Sequence, residues 1–83
     1  MRTVEKLDIG DHVVYYNQYL RVETVVAKYE KTFRITNGIF LPVNINKEDV
    51  LAVGDEKGKD KIKGLKGNYV IFKKEKLEEI LKN

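Results

Sequence analysis

Apolar and polar positions alternate through the first half of the chain in short runs that read as strands. "HVVYY", residues 12–16, follows the Gly10-Asp11 punctuation and is β-prone throughout. Asn17-Gln18 then reads as a tight turn into a longer strand from about Tyr19 to Tyr29. On that strand Leu20, Val22 and Val26 mark one face, and Val25, Ala27 and Tyr29 the other. The adjacent Val25-Val26 breaks simple alternation, which predicts a bulge or a strand covered on both sides. A strand this long usually bends and serves two edges of a small barrel.

"KTFRITNGIFLPV", residues 31–43, predicts a hairpin turning at Asn37-Gly38. A two-residue turn there sets Thr36 opposite Ile39, Ile35 opposite Phe40, Arg34 opposite Leu41 and Phe33 opposite Pro42. Phe33, Ile35, Phe40 and Pro42 then form the core face; Arg34, Thr36, Ile39 and Leu41 form a mixed second face. Pro42 lacks an N–H for a ladder, so this strand belongs at an edge or a bulge. Val43 and Ile45 continue the alternation, and "NKEDV" from Asn46 predicts a single helical turn.

Residues 54–67, "GDEKGKDKIKGLKG", hold four glycines, five lysines and two apolar residues, and read as a long loop. "NYVIF", 68–72, is the last strand. Leu77, Ile80 and Leu81 then share one stripe of a short helix over 74–82, with Glu78 and Lys82 in the favoured order for an i,i+4 pair. A helix so short is marginal alone, so its stripe must dock, and Ile39 with Leu41 is one candidate dock.

At 83 residues this amounts to one small domain. The chain contains no cysteine and no serine, which removes disulfides, thiolate metal sites and both nucleophiles. The first residues carry Glu5, Asp8 and Asp11 and do not resemble a secretory signal, and no apolar run approaches bilayer-spanning length. The expectation is a cytoplasmic protein without membrane contact. The net charge of +3 is uneven: residues 1–53 balance seven basic against seven acidic side chains, whereas 54–76 hold eight lysines against four acids.

Chemistry is sparse. His12 is the single histidine, without the spacing of a metal site, and reads as a partly buried strand residue. Asp8 and Asp11 flank Gly10 as turn residues rather than a carboxylate pair. The glycines of 54–67 match no phosphate-binding loop. No catalytic residue, metal or cofactor is therefore expected, and an enzyme ranks third among the functional readings. Two contact surfaces remain. Lys57, Lys59, Lys61, Lys63 and Lys66 are placed to follow phosphates, or else simply keep a small β-domain soluble. Tyr15, Tyr16 and Tyr19 offer aromatic surface, or else cover a barrel mouth; alternation puts at least one of the first two near solvent.

"GDHVVYY", "LRVETVVAKYEKTFRITNGIF" and "NYVIFKKEKLEEIL", in that order, resemble a group of small bacteriophage-encoded proteins. In these a valine-rich strand leads into a hairpin, and a strand ending in an aromatic precedes a Lys/Glu-rich helix. Their architecture is similar to Tudor and KOW modules, five-stranded barrels of the Src-homology type. The resemblance covers most of the chain except 54–67. It implies a phage or prophage accessory protein with no shared catalytic activity. Tudor modules bind methylated side chains in an aromatic cage, and KOW modules often contact RNA or ribosomal protein. Asn17-Gln18 stand where a KOW pattern has its glycine.

The expected protein is thus mainly β: a five-stranded Src-homology/Tudor-like barrel with a short C-terminal helix. Its expected role is non-catalytic binding of a host or phage protein, as inhibitor or adaptor, through Tyr15, Tyr16, Tyr19, Arg34, Ile39 and Leu41. Nucleic-acid binding through the lysine-rich loop is the alternative. A homodimer through the edge strand near Pro42 is a further expectation.

Overall fold

A computed structural model describes residues 3–39, 41–54 and 69–82. Its six strands are β1 (His12–Asn17), β2 (Tyr19–Lys28), β3 (Thr32–Thr36), β4 (Val43–Asn46), β5 (Ala52–Gly54) and β6 (Val70–Ile71). They form one antiparallel sheet in the order β4-β3-β2-β1-β5-β6. Turns of 3-10 helix occupy Val4–Lys6 and Lys47–Asp49, and one helix, α1 (Lys74–Lys82), follows β6. The protein is therefore mainly β with a short C-terminal helix, and the sheet holds six strands rather than the expected five.

The strand missing from the sequence reading is β5. "VLAVG", residues 50–54, shows no alternation because both of its faces are covered. Val50 and Val53 join one buried cluster with Leu7, Val13, Tyr15, Val25, Phe33 and Ile35. Ala52 joins Val14 and Val22 on the other side. A strand buried on both faces reads as a continuous apolar run.

β2 carries the expected irregularity. Its register with β3 shifts between Val25 and Ala27, so Val25 stays fully buried while Val26 faces solvent. The backbone at the shift is held by the preceding turn. The Val25 N–H donates to the Asp11 carbonyl at 2.9 Å, and the Gly10 N–H donates to the Val25 carbonyl at 2.8 Å. Gly10 sits at φ +97°, a conformation open to glycine without cost. Asp8 and Asp11 serve this turn: the Asp8 N–H donates to Asp11 Oδ2 at 2.7 Å.

The β3–β4 hairpin departs from the expected register. Phe33 pairs with Ile45, Arg34 with Asn44 and Ile35 with Val43, a slip of three residues from a two-residue turn. Two local hydrogen bonds explain it. Thr36 Oγ1 accepts from the Gly38 N–H at 3.0 Å, and Asn37 Oδ1 accepts from the Ile39 N–H at 2.9 Å. These side chains wind the chain into a wide connection, a use of Thr and Asn that competes with a tight hairpin. Ile39 and Leu41 therefore leave the sheet, and the second face proposed for them with Arg34 and Thr36 does not form. Phe33 and Ile35 are fully buried, and Pro42 is exposed just ahead of β4. Phe40 lies outside the described residues.

Helix α1 docks away from Ile39 and Leu41. Its lead-in is tied to the start of β5: the N–H groups of Phe72 and Lys73 donate to the Leu51 carbonyl at 2.8 and 3.1 Å. Leu77 is the fully buried member of the stripe.

At the β5 end, Gly54 lets the Tyr69 ring lie directly on its backbone, and a Cβ there would run into the ring. Tyr69 packs against the Val14–Val22–Ala52 cluster. Gly54→Ala is expected to cost about 1–3 kcal/mol in denaturant unfolding, as overpacked sites do, and to alter the near-ultraviolet signal of the tyrosines. A neutral substitution would mean that Tyr69 moves aside freely.

Candidate partner-binding surface

The six residues expected to share a contact surface fall into four places. Tyr15 is 4 % exposed and belongs to the core. Directly opposite it on β2 is Arg21, and Glu23 stands opposite Val13 on the same face. The Tyr15 hydroxyl donates to Glu23 Oε2. Burial, then the bond to Glu23 and its negative charge, push the Tyr15 hydroxyl far above its ordinary pKa. The ring is thus structural, and it leaves the contact surface.

Tyr16 and Tyr19 flank the β1–β2 turn and are both exposed. Gln18 at the apex adopts φ +69°. The Arg21 guanidinium lies 4.2 Å from the centre of the Tyr19 ring, and its Nε donates to the Asn17 carbonyl at 3.0 Å. Arg21 was not among the expected site residues; its signal was its place two residues beyond Tyr19, on the same face of a strand.

Arg34 sits mid-strand in β3, exposed, with its Nε donating to Asn44 Oδ1 at 3.2 Å. Its guanidinium is 5.7 Å from the Tyr29 ring centre, a second Arg–Tyr pair. Ile39 and Leu41 are 82 % and 87 % exposed in the β3–β4 connection. That connection leaves the sheet opposite Thr24. Thr24 is five residues along β2 from Tyr19, about 17 Å at the usual strand rise. The strand start that carries Tyr19 and the point where the apolar loop leaves the sheet are thus separate along β2, and Arg34 lies two residues before that point on β3.

Other groups are accounted for by local structure. His12 Nδ1 is 3.0 Å from Thr24 Oγ1 across the β1–β2 pair, and Lys28 forms an ion pair with Asp8 at 3.6 Å. A surface cleft of about 500 Å³ between the two 3-10 turns is lined by Glu5, Glu30, Glu48, Lys31 and Lys47 among others. Among the described residues, no group of three or more His, Asp or Glu side chains is placed to hold a metal ion, and no helix is long and apolar enough to cross a membrane. Lys57, Lys59, Lys61, Lys63 and Lys66 lie outside the described residues.

No protein-family model, curated protein or solved structure matches the chain.

Proposed function

We propose that the protein works without catalysis, as a small cytoplasmic accessory module that binds a protein partner through residues 37–42. The observation that carries this reading is the exposure of Ile39 and Leu41, two large aliphatic side chains one residue apart. They sit in a stretch, residues 36–46, that contains no charged side chain although 35 % of the chain is charged. Solvated loops are ordinarily polar, and exposed apolar surface that gathers into a patch marks contact sites. The phage-type accessory role, as inhibitor or adaptor of a host or phage protein, rests on the resemblance given above.

The barrel reading of the sheet has physical support. The connection from β4 to β5 spans residues 47–51, while β3, β2 and β1 lie between the two strands. Four strand spacings on a flat sheet come to about 19 Å. One 3-10 turn plus extended residues reaches only about 16 Å. This difference favours a curled sheet and supports the reading of a small Src-homology-type barrel with β6 as an added strand.

The double variant Ile39→Asp with Leu41→Asp is expected to abolish capture of the partner from host lysate. Stability should stay within about 0.5 kcal/mol of wild type, because both side chains are in water already. A variant that captures the same protein as wild type would overturn this reading. The Arg21–Tyr19 and Arg34–Tyr29 pairs, with both tyrosine rings exposed, favour one second reading, single-stranded nucleic acid. Binding of a mixed oligonucleotide that falls steeply between about 50 and 200 mM salt would support it. Charge reversal of Lys57, Lys59, Lys61, Lys63 and Lys66 should then abolish that binding.

A further inference from the structure

We propose that the open edge of β4 pairs with β4 of a second copy, in an antiparallel two-fold register that sets Asn44 opposite Asn46 of the other copy. This interface is separate from the loop tip above and does not depend on it. The backbone phase comes from one bond. The Lys47 N–H donates to the Lys31 carbonyl at 2.9 Å, and these two residues continue the register that pairs Phe33 with Ile45 and Ile35 with Val43. In an antiparallel ladder, bonded pairs alternate along the strand. Val43 and Ile45 therefore point their backbone groups at β3, and Asn44 and Asn46 point theirs at the open side. Among the described residues no strand pairs there.

The composition of the edge selects its occupant. Natural edges are guarded by shortness, by proline or by charge, most often lysine; β4 is short and preceded by Pro42, but it carries no charge. Pro42 is in phase with Asn44 and Asn46 and lacks an N–H, so the ladder ends before it. In the register with Asn44 opposite Asn46, every donor in the ladder is present, and four bonds form around the axis. Ile45 then meets Ile45 of the second copy at the close, non-bonded position. The half-exposed Val43 (52 %) meets the aliphatic stem of Lys47, and no like charges are directly opposed. A strand of this composition is complementary to itself, amide to amide and aliphatic to aliphatic.

The test is solution mass with hydrogen exchange on the full chain. Light scattering from micromolar to millimolar protein should show the 9.7 kDa monomer giving way to a species of twice that mass. The amides of Asn44 and Asn46 should become protected over the same range. Asn44→Lys, an exposed position, should return the protein to monomer with its fold intact by circular dichroism. The Ile39→Asp, Leu41→Asp variant should remain dimeric even where it loses the partner, which separates failure of the two proposals. A monomer at millimolar concentration would overturn the inference. So would a dimer in which the amides of Asn44 and Asn46 exchange freely, or one that survives Asn44→Lys.

Discussion

Phe33→Ala is expected to bring the domain to the brink of unfolding at physiological temperature. Phe33 is fully buried, near the start of β3, among side chains of β1, β2, β5 and the 3-10 turns. Lys47 Nζ lies 5.0 Å from its ring centre and closes one side. Truncating a ring so enclosed costs about 3–5 kcal/mol, the transfer loss plus the cavity left behind. An 83-residue domain holds only about 4–12 kcal/mol in total. At roughly 4–8 °C per kcal/mol for domains of this size, the melting temperature should fall by about 12–40 °C. Phe33→Leu fills most of the same space and should cost less than about 1.5 kcal/mol. A thermal melt of the two variants beside wild type decides it; equal, small losses would mean that the ring is not enclosed.

Phe33 was legible from the sequence because β3 alternates cleanly and its core face is the same in either hairpin register. A slip of three residues moves the partner strand and leaves Phe33 and Ile35 inside. What the slip changed was the other strand. Asn37-Gly38 is a strong hairpin signal, yet here Thr36 and Asn37 turn their side chains back on the backbone two residues ahead. A pair code between two apolar runs cannot report that competition. The result matters for function, since it moved Ile39 and Leu41 from a sheet face within reach of a helix stripe to an exposed loop.

The bulge in β2 and the helix stripe were legible for the opposite reason, because each is a local pattern. Adjacent valines in a strand force either a register shift or two-sided burial, and β2 shows both: Val22 and Val25 lie in opposite clusters. Leu77, Ile80 and Leu81 define a stripe whatever they pack on, but the pattern does not say where it docks. The candidate surface was the least legible element. Alternation divided Tyr15 from Tyr16 without saying which was inside. The answer came from Glu23, whose carboxylate beside Tyr15 on the core face lets a phenol hydroxyl be buried with a partner.

That buried phenol sets the last expectation, a loss of stability in alkali that Tyr15→Phe removes. Burial and Glu23 raise the Tyr15 pKa well above the ordinary 10.0. The neutral phenol is thus favoured by the folded state, while the unfolded chain ionises at the usual value. The stabilisation linked to this group is fully present below pH 10.0 and is lost progressively as pH rises through that value toward the folded one. Denaturant unfolding of wild type at neutral pH and near pH 11 should show the fall. Lysines titrate in the same window, so the comparison with Tyr15→Phe isolates the phenol. At neutral pH the variant should lose about 1.5–3 kcal/mol, the range for a hydrogen bond to a charged group. It should then lose less than wild type on going to alkali, so that the two curves converge. Parallel curves would mean that Tyr15 ionises as readily folded as unfolded, and that Glu23 holds nothing in place.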